Sequence, residues 1–203
     1  MKSMIKDAII LLLITLIAGA ALGYVNYITE GPIALAEENA KKAAYREVFE
    51  DADAFEIIAD ATPYTSISEW SGEGFSNVKI NEVLNAKDSE GNVLGYVLGI
   101  TTSEGYGGDI TFTLGISSDG TITGVSILSI SETAGLGMKA PEVLVPQFDD
   151  KVSSYTVTKT GATSDAEIDA ISGATITSKA VTNAVNAGLF YFNIELGGGA
   201  DEG

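Results

Sequence analysis

The sequence contains no cysteine and no histidine among its 203 residues. Without cysteine the chain can form no disulfide, no thiolate zinc site and no iron–sulfur cluster, and it has no cysteine nucleophile. Without histidine it has no imidazole ligand for haem, no Ser-His-Asp triad and no histidine proton shuttle. Any chemistry in this chain therefore depends on carboxylates, on hydroxyls or on a cofactor that the chain holds.

Basic residues are also scarce, since 11 Lys and Arg stand against 28 Asp and Glu and give a formal charge of −17. This balance argues against nucleic acid as a partner, because phosphate backbones select basic surfaces. It also makes an anionic membrane surface a poor partner for the soluble part. The apolar content of 45% excludes a disordered chain, and the length suits one domain with a short appendage.

The N-terminus carries a long apolar run. Residues 8–28 are free of charge, and about 20 helical residues cross a hydrocarbon core of roughly 30 Å. Lys2 and Lys6 precede the run, and Glu30 is the first charged residue after it. The positive-inside rule therefore predicts a cytoplasmic N-terminus and an extracytoplasmic body. A cleaved signal peptide is the alternative, with Ala18-Gly19-Ala20 as the cleavage site; the apolar run continues past that site, which favours an uncut anchor.

Four regions follow from composition and patterning. Residues 1–29 are predicted as the cytoplasmic N-terminus and transmembrane anchor, and residues 30–75 as a helical and acidic connecting region, with mostly loop between Glu50 and Asn77. Residues 76–196 are predicted as the folded domain, and residues 197–203 as a disordered tail.

The folded region predicts an α+β architecture, with a curved antiparallel sheet packed against helices behind one transmembrane helix. From Val78 the hydrophobic period is two, which indicates a meander of about four strands with turns at Lys87–Asn92 and Ser117–Gly120. A short helix is expected near Pro141 and a strand within Ser154–Thr158. An amphipathic helix is expected at the C-terminus, where one apolar stripe recurs at spacings of four, four and three residues; it consists of Val181, Val185, Leu189 and Phe192.

The stretch "DAISGATITSKAV", residues 169–181, gathers hydroxyls and a glycine at the start of that last helix. One interpretation is structural, with Ser178 as the N-cap and Gly173 in the preceding turn. The other is chemical, since a hydroxyl at a helix N-terminus can carry a phosphate group that the helix dipole favours. Composition alone leaves both open.

The stretch resembles the flavin attachment motif of the FMN-binding domain family, Asp-x-x-[Ser/Thr]-Gly-Ala-[Thr/Ser]. In that family a flavin transferase uses FAD to join FMN to the last hydroxyl through a phosphoester. The resemblance implies that Thr175 is the acceptor, with Thr177 and Ser178 as rival acceptors. It also implies that Asp169 is recognised by the transferase. The motif residues that match are Asp169, Ser172, Gly173, Ala174 and Thr175, whereas Ala170 stands where the family often has glycine.

Two further segments resemble the same family. "SETAGLG", residues 131–137, is similar to its Glu-Thr-Pro-Gly-Leu-Gly loop, with Ala134 in place of proline. A glycine-rich strand entry begins at Gly105. The resemblance implies flavin contacts from both segments, and either of two nearby lysines, Lys139 or Lys179, is expected to support the phosphate or the reduced flavin. The expected contact residues are Glu132, Thr133, Gly135, Leu136, Gly137, Tyr106, Gly107 and Lys179.

The whole chain resembles the family of G subunits of Rnf-type ferredoxin:NAD oxidoreductases and, second, the C subunits of sodium-pumping NADH:quinone oxidoreductases. The resemblance implies a single-pass electron-transfer protein in a bacterial cytoplasmic membrane, without an independent catalytic site. Its implied partners are the membrane and iron–sulfur proteins of the same redox complex, membrane lipid and the flavin transferase. An FMN carrier for an extracellular reductase and a non-redox structural module remain the alternatives.

Overall fold

The computed structural model describes residues 2–59, 74–148 and 154–196. The chain divides into two units, residues 1–42 and 43–203. The first unit is the main part of helix α1, Lys2–Val48, which runs without interruption through Pro32. In the described part of the chain this is the one helix long and apolar enough to cross a membrane. The connecting region thus begins as a continuation of the apolar helix.

A five-stranded antiparallel sheet forms the centre of the second unit, with its strands in chain order. The meander predicted from Val78 is confirmed by four strands. The prediction of mostly loop between residues 50 and 77 is wrong at Ala54–Ala59, which forms an additional edge strand paired with the next strand. The strands are β1 Ala54–Ala59, β2 Val78–Lys87, β3 Val93–Thr102, β4 Ile110–Ser117 and β5 Ile122–Ser129.

The edge strand β1 escaped prediction because it is short and exposed. Ile57 is 58% exposed and Ile58 is 46% exposed, so the strand lacks the alternation of buried and exposed residues that marks a half-buried strand. Its backbone pairing with β2, Ile57 opposite Leu84, holds it in place. Residues 60–73, which include Pro63 and Gly72, lie outside the described residues, so the predicted boundary after residue 75 stays a prediction.

Both predicted hairpin turns are present. The carboxylate of Asp88 accepts hydrogen bonds from the backbone N–H groups of Glu90 and Asn92, each at 2.9 Å. Gly91 has a φ of 87°, a conformation that glycine adopts without steric cost. In the second turn the N–H of Gly120 donates to the carbonyl of Ser117 at 2.9 Å. These turns fix the register of the meander.

The remaining elements surround the sheet. Helix α2, Ala140–Val143, lies between two 3₁₀ turns, Gly137–Lys139 and Val145–Gln147. Strands β6, Thr156–Thr158, and β7, Glu167–Asp169, form a separate parallel pair. Helix α3 spans Thr175–Glu195. The expected helix, strand and C-terminal helix are confirmed, whereas β7 was not predicted. The predicted tail, residues 197–203, lies outside the described residues.

Helix α3 packs on one face of the sheet and closes the main core. All four residues of its predicted apolar stripe are buried, from 0% exposure at Val181 to 3% at Phe192. The helix comes close to the sheet at Gly188, where an added Cβ would lie 2.5 Å from Leu114 Cδ2 and 2.9 Å from Ile100 Cδ1. The core therefore holds α3 in a fixed place on the domain.

The last turn of α1 packs on the opposite face of the sheet. Val48 and Phe49 belong to a second buried cluster with Val97, and the hydroxyl of Thr123 donates to the carbonyl of Val48. At Gly115 an added Cβ would lie 2.5 Å from the carbonyl oxygen of Val48. This glycine lets the helix end approach the strand backbone directly.

We expect Gly115→Ala to lower the free energy of unfolding by about 1–3 kcal/mol, because the new methyl group meets backbone that cannot rotate away. Chemical denaturation of the full chain in detergent measures the change. Ser129→Ala, at an exposed position on β5, is the control and is expected to stay within about 0.5 kcal/mol of wild type. Equal stability of the two variants would contradict the close approach.

Candidate functional site

A cavity of about 560 Å³ opens where the start of α3 meets the segment 131–137. Two of the three segments singled out in the sequence supply most of its wall, and the glycine-rich segment 105–108 supplies one aromatic residue. The cavity lies within the second unit of the chain. Its lining residues are Tyr106, Glu132, Thr133, Leu136, Gly137, Gly173, Ala174, Thr175, Ile176 and Thr177.

Thr175 is the first residue of α3. The first hydrogen bond within the helix runs from the N–H of Ser178 to the carbonyl of Ala174, at 3.0 Å. The N–H groups of Thr175, Ile176 and Thr177 precede it and lie at the positive end of the helix dipole. The hydroxyl of Thr175 therefore stands beside the backbone donors that favour a phosphate.

The structural interpretation with Ser178 as the N-cap is wrong, because the helix begins at Thr175, three residues earlier. Gly173 has a φ of 78° and makes the turn that starts the helix at Thr175. The buried Ser178 hydroxyl instead accepts the N–H of Ile171 and donates to the carbonyl of Ala174, both at 3.0 Å. Ser178 thus ties the turn to the first turn of α3.

The hydroxyls of the cluster differ in access to solvent. Thr175 is half-buried and lines the cavity. Thr177 is 1% exposed and Ser178 is 0% exposed, so neither offers an oxygen to a bulky reagent. Ser172 is exposed, but it is not among the described residues that line the cavity. Thr175 alone in this cluster combines access with a place on the cavity wall.

Glycines bring the two neighbouring loops together at the cavity. The N–H of Gly107 donates to Glu132 Oε1 at 3.2 Å, and a Cβ on Gly107 would lie 2.1 Å from the carbonyl oxygen of Ser131. A Cβ on Gly137 would lie 2.6 Å from Thr177 Oγ1 and 2.7 Å from Glu132 Cβ. The glycine pattern of both segments is therefore needed for loop contact and for an open cavity floor.

The loop 131–137 closes its turn without the proline of the related motif. The N–H of Leu136 donates to the carbonyl of Thr133 at 3.1 Å, and that of Met138 donates to the same carbonyl at 3.3 Å. Gly135 has a φ of 77°, which suits this turn. Ala134 thus occupies the proline position in an ordered, hydrogen-bonded turn.

Some of the predicted contact residues line this cavity, and others lie outside its lining. Lys179 lines a different cavity, of about 430 Å³, beside Glu104 and Asn183. Among the described residues lining the first cavity, Glu132 is the charged one. The sequence predictions missed Ile176, whose position next to the acceptor hydroxyl was the available clue. The predicted residues outside the lining set are Asp169, Ser172, Gly107, Gly135 and Lys179.

A carboxylate fixes the turn that leads into the motif. Glu167 Oε2 accepts hydrogen bonds from both the backbone N–H and the hydroxyl of Thr163, each at 2.7 Å. These bonds, the backbone one first, lower the pKa of the Glu167 carboxyl. A lowered pKa in the folded state stabilises the fold above the ordinary glutamate pKa, and this stabilisation is lost as the pH falls through the folded-state value.

We expect Glu167→Gln to lower the thermal midpoint at neutral pH, with the difference from wild type shrinking as the pH falls below about 4.3. Thermal unfolding of both proteins between pH 7 and pH 3 measures this. Glu142→Gln, at an exposed position of α2, controls for the loss of one negative charge. A difference that stays constant across the whole pH range would contradict the role of the Glu167 carboxylate.

The site fits a flat aromatic cofactor with a phosphate group. Its volume lies in the range of about 300–1,000 Å³ typical of cofactor sites. Leu136 and Ile176 provide apolar wall, and exposed Tyr106 stands at the rim with a ring for stacking. The accessible hydroxyl of Thr175 and the N-terminal amides of α3 suit the phosphate. The cavity and the α+β fold define a domain suited to such a cofactor, preceded in the chain by an N-terminal apolar helix.

Comparison with known proteins gives the particular family. Residues 105–189 match the FMN-binding domain family and residues 1–48 match the RnfG N-terminal region. The chain is 37% identical to the G subunit of the Na⁺-translocating ferredoxin:NAD⁺ oxidoreductase complex of Acetobacterium woodii, over 93% of this chain and 91% of that protein. It belongs to the RnfG family, and its apolar helix anchors it in the membrane as a single-pass protein.

Two other G subunits are similar to this chain over most of its length. The G subunit of the ion-translocating oxidoreductase complex of Methanosarcina acetivorans is 34% identical over 97% of this chain and 98% of that protein. The G subunit of the proton-translocating ferredoxin:NAD⁺ oxidoreductase complex of Clostridium ljungdahlii is 29% identical over 90% and 88%. The crystal structure of Shewanella oneidensis NqrC has a TM-score of 0.46 and 22% identity, covering 57% of this chain and 58% of that one.

Proposed function

We propose that this protein is an electron-transfer subunit of an ion-translocating oxidoreductase complex and carries FMN joined to Thr175 by a phosphoester. Membership of the RnfG family and the match to an FMN-binding domain support the electron-transfer role. The observation that carries the attachment site is the exposure pattern of the hydroxyls. Thr175 is accessible on the cavity wall, whereas Thr177 and Ser178 are buried.

The attachment is a transfer of a phosphoryl-linked group from FAD. The Thr175 oxygen attacks the phosphorus that bears the riboflavin part, which forms the threonine O–P bond. The bond from that phosphorus to the bridging oxygen of the pyrophosphate breaks, and AMP leaves with that oxygen. The hydroxyl proton passes to a base of the transferase, and no electron is gained or lost.

The residues of the cavity then have separate tasks. The amides of residues 175–177 donate toward the negative phosphodiester, and the dipole of α3 favours its charge. Gly173 keeps the approach to Thr175 free of a side chain, and Gly137 keeps the cavity floor open. Leu136 and Ile176 exclude water from part of the wall. The FMN supplies the electron-carrying chemistry, and the protein supplies its position and surroundings.

A covalent tether suits the proposed location. The lysines before the apolar run and the acidic residues after it support a cytoplasmic N-terminus and a flavin-carrying domain outside the cytoplasmic membrane. A cofactor held there by weak contacts alone is diluted once it dissociates, whereas a phosphoester prevents its loss. Other membrane and iron–sulfur proteins of the complex are the proposed electron partners, because this cysteine-free chain provides no thiolate ligands for a cluster.

The test is the absorption spectrum of the full chain, purified in detergent from cells that express a flavin transferase. We expect a flavin spectrum that survives denaturation and gel filtration, bleaches on chemical reduction and returns in air. A colourless protein made beside an active transferase would contradict the function. A flavin released by denaturation would contradict the covalent bond while leaving FMN binding in place.

A further inference from the structure

The amide side chain of Gln147 holds both backbone groups of Asp169, the first residue of the attachment motif. The N–H of Asp169 donates to Gln147 Oε1 at 2.7 Å, and Gln147 Nε2 donates to the carbonyl of Asp169 at 3.3 Å. The same Nε2 donates to the carbonyl of Val143 at 2.6 Å. Gln147 lies 22 residues before Asp169, at the end of the 3₁₀ turn after α2.

The position of Gln147 joins the two segments that form the cavity. The helical stretch 137–147 continues directly from the loop that supplies Leu136 and Gly137 to the cavity wall. Asp169 ends β7 and leads into the turn that supplies Gly173 and Thr175. The Gln147 amide therefore bridges these segments at the point where the motif begins.

Further backbone contacts hold the rest of the motif. The N–H of Ala170 donates to the carbonyl of Thr158 at 2.9 Å, and that of Ala174 donates to the carbonyl of Ile171 at 2.9 Å. Ser178 accepts the N–H of Ile171 from inside the domain. Gln147 in front and Ser178 behind thus both hold the turn by hydrogen bonds, and Asp169 is left exposed to solvent.

We propose that Gln147 is a positioning residue for flavin attachment, which presents Asp169 to the flavin transferase and fixes the turn that carries Thr175. The inference rests on the proposed attachment of FMN to Thr175 and on the expected recognition of Asp169 by the transferase. Gln147 is not among the described residues that line the cavity of Thr175; it acts by reducing the number of conformations that the transferase must select. Removal of its hydrogen bonds slows attachment without preventing it.

The variant that tests this is Gln147→Met, which keeps the length and volume of the side chain and removes all three hydrogen bonds. Asn186→Leu is the matched control. The Asn186 amide makes the same double contact with the backbone of Tyr155, at 2.7 Å and 2.9 Å. Tyr155 precedes β6 at the end where Thr156 pairs with Glu167, whereas Asp169 pairs with Thr158 at the other end. The control therefore removes an equivalent pair of bonds away from the start of the motif.

The experiment follows the mass of the full chain in detergent during incubation with FAD and a purified flavin transferase. We expect the initial rate for Gln147→Met to be about tenfold below wild type at limiting transferase, the size that hydrogen bonds of ordinary net strength give. With excess transferase it reaches complete modification. Asn186→Leu is expected to lose comparable thermal stability and to be modified at the wild-type rate.

Three results would contradict the positioning role of Gln147, and one of them would also contradict the proposed function. Modification of Gln147→Met at the wild-type rate would overturn the positioning role while leaving Thr175 as the acceptor. Equal slowing of Asn186→Leu would also overturn it, because general loosening would then explain the effect. A wild-type chain that gains no mass beside a transferase active on another acceptor would remove the proposed function and this inference with it.

Discussion

Thr175→Ala is expected to gain no FMN, whereas wild type gains the mass of one FMN less one water when it is made with a flavin transferase. The reason is that the reaction needs an accessible hydroxyl at the start of α3, and the neighbouring hydroxyls of Thr177 and Ser178 are buried. Intact mass after denaturation and in-gel flavin fluorescence measure the loss.

The controls for this prediction come from the same cluster. Thr175→Ser keeps the hydroxyl and is expected to be modified, although serine adds rotational freedom. Ser172→Ala and Thr177→Ala remove other hydroxyls and are expected to be modified fully. Retention of the added mass in Thr175→Ala would contradict the assignment, and its loss in Thr177→Ala with Thr175 intact would move the acceptor to Thr177.

The second large effect is expected from Gly137→Val, which places a branched side chain on the cavity floor. A single Cβ there already lies 2.6 Å from Thr177 Oγ1 and 2.7 Å from Glu132 Cβ, so a valine displaces one or both of these residues, which line the cavity. We expect the FMN to remain attached through Thr175 and its ring to lose its place on the wall. Overpacking also costs about 1–3 kcal/mol of stability.

Flavin fluorescence anisotropy of the modified full chain measures this effect. A ring held in the cavity moves with the whole protein and gives high anisotropy, whereas a ring on a flexible tether gives low anisotropy. Ala134→Val, at an exposed position of the same loop, is the control and is expected to keep the wild-type value. Equal anisotropy for Gly137→Val and wild type, with equal FMN mass, would show that the ring binds elsewhere.

The parts of the fold that the sequence predicted are those in which one local pattern dominates. The period of two from Val78 and the turn residues at Asp88 and Gly120 specify the meander, and the apolar stripe specifies α3. Strand β1 was missed because its residues are largely exposed and its pairing with β2 is a backbone contact. Strand β7 was missed because three residues carry no period, and it exists through its partner β6.

In the candidate site, too, features with a local sequence pattern were predicted and features that depend on distant residues were missed. The motif at residues 169–175 and the loop at 131–137 were recognisable from the order of their residues, and the structure brings both to one cavity. The interpretation of Ser178 as the N-cap would start α3 too late, because a serine near a helix start favours a cap, whereas the fold buries Ser178 behind the turn. Gln147 carries no local pattern, since its partner Asp169 is 22 residues away and is contacted through backbone atoms.

The most direct test of FMN attachment at Thr175 is fragmentation of the tryptic peptide Thr160–Lys179 from the flavin-loaded full chain. Trypsin cleaves after Lys159 and Lys179, so one peptide contains Ser172, Thr175, Thr177 and Ser178. The prediction is that fragments ending before Thr175 are unmodified and that those including it carry FMN less one water. The same mass on Ser172, Thr177 or Ser178, or an unmodified peptide from a chain exposed to active transferase, would contradict it.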